Sequence, residues 1–223
     1  MEDNVIQERS STMSLFQKVF LWMFMGLLAT GIVSWFTYSS GLTETIAFNM
    51  GFQIVALIEI AVVVVFSLFF RKLPPIAASI LFFIYAVMNG ICVSTIFYFF
   101  ELDSITLIFF ASAAVYGITG LLGYITKIDL SRFWPMLFVT LIIGVIVSII
   151  NIFVGNTMLD VILTWILLLE FFVITAYDVQ RMKIMSEAGY DTTEKLHIYG
   201  AMELYLDFIN IFLKILGLFG KRK

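Results

Sequence analysis

Charged residues are scarce in this sequence: Asp, Glu, Lys and Arg make up 13% of its 223 residues, about half of the usual share in soluble domains. There are three prolines, one histidine and a single cysteine, Cys92, which excludes both a disulfide framework and a cysteine-based metal site. Hydrophobic residues make up 61% of the chain, and the mean hydropathy is +1.04. A soluble domain of this composition would lack polar residues to cover its surface. The composition therefore indicates an integral membrane protein.

Catalytic motifs are missing as well. The sequence contains no Gly-rich phosphate loop, no His/Glu zinc spacing and no Ser–His pair with a positioned acid. We therefore expect no enzyme activity, no bound cofactor and no nucleic-acid partner.

Seven stretches approach the length of about 20 apolar residues that a helix needs to cross a bilayer core. The runs are continuous, whereas the strands of a membrane barrel alternate. We predict an all-α integral membrane protein, with one seven-helix bundle over 19–219, an exposed N-terminal tail over 1–18 and a basic tail over 220–223. The predicted spans are 19–39, 46–70, 74–100, 105–126, 133–155, 159–180 and 196–219.

Basic residues predict the orientation in the membrane. The tail and loops on one side hold nine Lys and Arg residues, and the loops at 39–45, 101–104 and 156–158 hold none. This bias places the N-terminus in the cytoplasm. Seven crossings would then put the basic residues 221–223 outside, against the same rule. The alternative is that the last segment turns back within the membrane.

The last predicted span carries the most polar residues. A charged side chain in hydrocarbon costs roughly 2.5–3.5 kcal/mol on insertion scales. Glu203, Asp207, Asn210 and Lys214 lie on or near one face of a helix. This pattern favours a central position for the last helix, surrounded by the first six. In the fourth span, Gly117, Gly120 and Gly123 form a stripe typical of close helix packing.

Two acids are candidates for a pH-sensitive gate. Asp207 lies deep in the last span, and Asp178 lies near the cytoplasmic end of the sixth. Two carboxylates in contact share a proton more readily than both ionise. Protonated, the pair forms a hydrogen-bonded latch; deprotonated, it repels itself and attracts a cation. The alternative is that Asp178 only caps an exposed helix end near Arg181.

Other charged residues in the spans are open to two interpretations. Glu59 lies midway along the second span with no basic residue one turn away, so we favour a polar lining of an ion path. Glu203 either lines that path or is solvated near the interface. Glu170, in the sixth span, is an equally unusual acid. Arg71 can reach Asp178 or anchor the second span at the cytoplasmic side.

Three motifs resemble those of a known family. They are residues 175–180 (TAYDVQ), 204–213 (LYLDFINIFL) and 88–91 (MNGI) followed by Ser94. Together with the seven-span layout, they resemble the Bax inhibitor-1 family, in a bacterial form. The resemblance implies a calcium-leak channel in which Asp178 and Asp207 are a pH-sensing pair and candidate Ca²⁺ ligands. It also implies a gating role for Arg71, a central last helix and a location in a bacterial plasma membrane.

The expected partners are thus the lipid bilayer, Ca²⁺ and protons. A competing hypothesis is a non-conducting regulatory protein that binds a membrane protease or another membrane complex through residues 1–18. A proton-coupled transporter is disfavoured, because no inverted repeat is visible in the sequence.

Overall fold

Helices form nearly all of the described chain. The computed structural model describes residues 2–48, 72–188 and 194–223, and we number its α-helices α1 to α8 in chain order. They are α1 Glu2–Ser39, α2 Leu42–Phe48, α3 Pro75–Val93, α4 Ile96–Phe99, α5 Leu102–Ile125, α6 Trp134–Val154, α7 Thr157–Glu187 and α8 Glu194–Phe219, with a 3₁₀-helix over Leu130–Phe133. No strand is present in these three ranges, which confirms the all-α class.

Five of the described helical segments are long and apolar enough to cross a membrane. Their positions match five of the seven predicted spans, and the seven-helix count fits the structure. The segments are Leu15–Ser39, Pro75–Phe99, Leu102–Ile125, Leu130–Asn151 and Thr157–Glu187. Most of the predicted span 46–70 lies outside the described residues. The last predicted span, 196–219, is part of a continuous helix, α8. Within this span lie three charged residues, Glu203, Asp207 and Lys214, and α8 is not among the five apolar segments.

The N-terminal part of α1 lies within the segment predicted as an exposed tail. The helix begins at Glu2, and the side chain of Leu15 is buried. The first candidate span accordingly starts at Leu15, four residues before the predicted start.

Large apolar side chains cover the outside of the spans. Phe110 on α5 and Phe153 on α6 are 67% and 86% exposed. Exposed apolar surface of this kind is rare on soluble monomers and suits contact with lipid. By contrast, α8 is buried along most of its length between Leu196 and Leu216. The predicted central position of the last helix stays a prediction.

The helix ends follow local sequence rules. Proline occupies the first position of α3, where its missing N–H is not needed. Gly155 ends α6 in the left-handed conformation, with φ of 69°, a conformation that glycine adopts without strain. The Asn151 side chain closes the turn to α7: its Nδ2 donates to the Asn156 carbonyl at 3.0 Å, and its Oδ1 accepts from the Asn156 N–H at 3.2 Å.

The 3₁₀-helix between α5 and α6 begins with a charged cap. The Asp129 carboxylate accepts hydrogen bonds from the Ser131 hydroxyl at 2.6 Å and the Ser131 N–H at 3.0 Å. These bonds, together with the nearby Arg132, lower the pKa of Asp129. The connection between the two spans is therefore ordered by local polar contacts.

The chain forms two compact units. The first comprises Met1–Phe100, Ser186–Tyr205 and Arg222–Lys223, and the second comprises Glu101–Met185 and Leu206–Lys221. In the first unit, α1 packs on α3, with the ring centres of Trp22 and Phe82 6.2 Å apart. In the second unit, α5 packs on α8, with the ring centres of Phe109 and Phe208 5.4 Å apart.

Candidate functional site

Asp178 lies within α7 and not at its end. The helix continues for nine residues beyond Asp178, to Glu187, and the Asp178 side chain is only 5% exposed. The structure therefore contradicts the interpretation in which Asp178 caps an exposed helix end.

Asp207 is buried on α8, in the same compact unit as Asp178. Its side chain is 3% exposed, and the preceding acid of that helix, Glu203, is half-buried. The degree of burial thus distinguishes Asp207 from Glu203, and Asp207 is the one enclosed by protein.

Helix α5 contacts both helices that carry these aspartates. Against α7, an ideal Cβ on Gly123 would lie 2.2 Å from the Ala176 carbonyl oxygen, so the two backbones touch two residues before Asp178. Against α8, the Tyr116 ring meets the Phe208 ring edge-on, with centres 5.6 Å apart. The glycine stripe therefore does place α5 close to α7, as the sequence predicted.

Tyr116 lies within the electrostatic reach of both aspartates. Its side chain is 5% exposed, and the charges of Asp207 and Asp178 both act on its hydroxyl group. In a low-dielectric interior such interactions weaken slowly with distance. Asp178, Asp207 and Tyr116 therefore form one buried polar cluster, which we call the aspartate cluster. Sequence reasoning missed Tyr116, because a tyrosine in an apolar helix does not show which neighbour it faces.

Two residues near Asp178 anchor this part of α7. Tyr177 stacks on Trp134, with ring centres 5.0 Å apart. The Gln180 side chain accepts from the Leu130 N–H at 2.9 Å and donates to the Ile128 carbonyl at 2.7 Å. These contacts tie α7 to the start of α6 and to the loop before it. Along α7, Asp178 thus lies between residues that contact α6 and the loop before it.

Two of the predicted site residues, Glu59 and Arg71, lie outside the described residues, so their predicted roles stay predictions. Across the described ranges, no group of three or more His, Cys, Asp or Glu side chains is arranged to hold a metal ion. Ca²⁺ takes six to eight oxygen ligands. Asp178 and Asp207 alone therefore supply only part of a calcium coordination shell.

Comparison with known proteins agrees with the motifs. The family described as Inhibitor of apoptosis-promoting Bax1 matches residues 12–223. The chain therefore belongs to the Bax inhibitor-1 family, and the predicted family is confirmed.

Bacterial relatives cover nearly the whole chain. Inner membrane protein YbhL of Escherichia coli K12 is 36% identical over 227 aligned positions, which span 99% of this chain and 97% of the relative. An uncharacterized membrane protein of Streptococcus pyogenes serotype M3 is 32% identical over 228 positions, 99% of both chains. A protein of Rickettsia prowazekii is 32% identical over 209 positions, 92% of this chain and 89% of the relative. The chain is accordingly an integral membrane protein.

Proposed function

We propose that this protein is a pH-sensitive calcium leak of the membrane, gated by Asp178 and Asp207. The observation that carries the proposal is the aspartate cluster, in which Asp178 and Asp207 are only 5% and 3% exposed and lie on two helices that both contact α5. Buried intramembrane acids are rare, and they usually mark ion or proton pathways.

Proton sharing provides the gate. With one or both carboxyl groups protonated, a hydrogen bond between them joins α7 to α8, and the smaller negative charge weakens the attraction for a cation. With both ionised, the two negative charges repel each other in a medium that screens them weakly. The ionised state separates the helices and attracts Ca²⁺. Low pH therefore closes the path, and higher pH opens it.

The small number of protein oxygen atoms available to Ca²⁺ favours passage of the ion over tight binding. Two carboxylates offer at most four oxygens, and Ca²⁺ requires six to eight. Water supplies the remaining ligands, which keeps the ion mobile. In this proposal Glu59 lines the path, Glu203 lies at its half-buried edge, and Arg71 takes part in gating.

A flux assay in liposomes tests the proposal. Purified protein is reconstituted with a fluorescent Ca²⁺ indicator inside the vesicles, and flux is measured as the pH is raised from mildly acidic to mildly alkaline. We expect flux to rise with pH in the native protein. Asp207→Asn and Asp178→Asn each mimic the protonated state, so flux at alkaline pH should fall by about tenfold or more, which corresponds to about 1.4 kcal/mol.

Asp103→Asn is the matched control, because Asp103 is an exposed acid on α5. It should leave both the flux and its pH dependence unchanged. If the native protein gives no flux above protein-free vesicles at any pH, the channel proposal is rejected. The non-conducting regulatory protein would then be the better hypothesis.

A further inference from the structure

The connection between α5 and α6 is too short to leave the membrane surface. The candidate spans Leu102–Ile125 and Leu130–Asn151 are separated only by residues 126–129, which extend at most about 14 Å. Both ends of the connection are therefore tied to segments that cross the bilayer. We call residues 126–133 the interfacial loop, and we expect it to lie among the lipid headgroups.

Apolar and basic side chains of the interfacial loop are both exposed. Ile128 and Phe133 are 64% and 43% exposed. The side chain of Arg132 is 82% exposed, and Lys127 is exposed as well. At the boundary between hydrocarbon and headgroups, apolar side chains enter the lipid, and long basic side chains extend toward the polar layer. The exposed side chains of this loop thus suit that boundary.

The positive charges of the loop are only partly balanced by protein. Asp129 is the one acid of residues 126–133. Its Oδ1 accepts both hydrogen bonds from Ser131, and its Oδ2 lies 3.8 Å from Arg132 Nε. An ion pair this long and this exposed contributes little. Among the described residues, Lys127 makes no ion pair. The loop therefore presents two cations to an anion from outside the chain.

Helix α7 holds the backbone of the loop from the protein side. The Gln180 side chain bonds the Ile128 carbonyl and the Leu130 N–H. Lys183 Nζ donates to the Tyr124 carbonyl at 3.0 Å and lies 4.7 Å from the centre of the Tyr124 ring. Because these contacts order the loop in advance, less conformational entropy is lost when a ligand binds. Lys183 also adds a third positive charge beside the loop.

We propose that the interfacial loop binds an anionic phospholipid, with Lys127 and Arg132 on the headgroup phosphate and Ile128 and Phe133 in the acyl layer. A guanidinium group binds phosphate through two parallel hydrogen bonds, and an ammonium group binds it as a point charge. Trp134, which is 39% exposed, follows the loop directly, and tryptophan is enriched at membrane interfaces.

The exposed apolar side chains favour a lipid over free phosphate as the ligand, because free phosphate has no apolar part to contact them. The loop is separate from the aspartate cluster, and lipid binding here does not depend on calcium flux. Failure of one proposal therefore leaves the other standing.

Thermal unfolding of the full chain in neutral detergent tests the site. Phosphatidylglycerol or zwitterionic phosphatidylcholine is added to the micelles at equal mole fractions, and unfolding is followed by circular dichroism. A lipid that binds only the folded chain raises the unfolding temperature. We expect a larger rise with phosphatidylglycerol, and a smaller difference between the lipids as salt screens the charges. Equal rises with both lipids, or with inorganic phosphate in place of lipid, would overturn the proposal.

Two double variants separate the loop from the overall charge of the protein. Lys127→Gln/Arg132→Gln should weaken the apparent affinity for phosphatidylglycerol by about tenfold or more, since each basic residue near an anionic surface contributes to binding. The matched control, Lys72→Gln/Arg222→Gln, removes the same charge from exposed residues elsewhere and should leave that affinity nearly unchanged. All four side chains are exposed, so both variants should fold. An equal loss of affinity in the two variants would overturn the assignment of the loop.

Discussion

At the scale of single residues, the absence of a side chain at Gly123 sets the approach of α5 to α7. Its backbone rests against Ala176, and no heavier residue fits between them. Gly117, on the same helix, has no atom within 4 Å of an added Cβ. The two glycines therefore have different roles, although the sequence places both in one stripe. Of these two glycines, Gly123 is the one that makes a tight contact with α7.

Gly123→Ala should destabilise the protein by about 1–3 kcal/mol, the usual cost of overpacking a tight contact. The new methyl group would collide with backbone, which cannot move aside as a flexible side chain does. Thermal unfolding in detergent, followed by circular dichroism, measures the effect.

Gly117→Ala is the matched control for this substitution. It should be neutral or raise stability by up to about 1 kcal/mol, because alanine favours the helix. Equal changes in both variants would show that the contact with Ala176 is not tight.

At the scale of helices, a buried hydrogen-bond network joins α1, α3 and α8 in the first unit. The Tyr205 hydroxyl lies 2.5 Å from Thr30 Oγ1 and donates to Asn89 Oδ1 at 3.2 Å. Thr30 Oγ1 also lies 3.0 Å from the Ala86 carbonyl of α3. Tyr205 and Thr30 are almost fully buried. Polar contacts thus fix the register of three helices where apolar packing alone allows sliding.

A double-mutant cycle measures this contact. Tyr205→Phe and Thr30→Val should each lower the free energy of unfolding by about 1–3 kcal/mol, because each leaves buried polar groups unsatisfied. The double variant should lose less free energy of unfolding than the two single variants added together, with a coupling energy of about 0.5–3 kcal/mol. Additive losses in chemical denaturation would indicate that the two hydroxyl groups act separately.

At the scale of the whole molecule, the C-terminal residues return to the loop between α4 and α5. The Lys221 ammonium pairs with the Glu101 carboxylate at 2.9 Å, and the Glu101 N–H donates to the Lys221 carbonyl at 3.0 Å. Lys223 donates to the Phe97 carbonyl through Nζ at 2.6 Å and to the Phe99 carbonyl through its N–H at 3.0 Å. The basic tail and this loop therefore lie on one side of the membrane. The contact favours a full crossing by the last helix over a re-entrant turn.

Thiol labelling tests this topology. Single cysteines are introduced as Lys223→Cys, Asp103→Cys and Lys127→Cys in a Cys92→Ser background. A membrane-impermeant maleimide applied to intact cells should label positions 223 and 103. It should label position 127, beyond α5, only after the membrane is permeabilised. Labelling of 223 together with 127 would instead support the re-entrant segment.

The sequence predicted the helices well and their contacts poorly. Continuous apolar runs define membrane spans, so five predicted spans agree with the structure. Asp178 and Asp207 were found because a charge in an apolar run is conspicuous. Tyr116 was missed, because the one-letter sequence does not show which face of a helix meets which neighbour. The end of the sixth span was also predicted too early, since the polar residues after 180 continue the helix to Glu187.

The buried surface of α8 also has a consequence for biosynthesis. The ribosome makes this helix after the other described helices, and with Glu203, Asp207 and Lys214 it is the least suited of the described long helices to enter lipid unaided. By then the earlier spans are already in the bilayer and offer polar partners that lipid lacks. Synthesis from the N-terminus thus delivers this polar helix when the helices that pack against it are already in place.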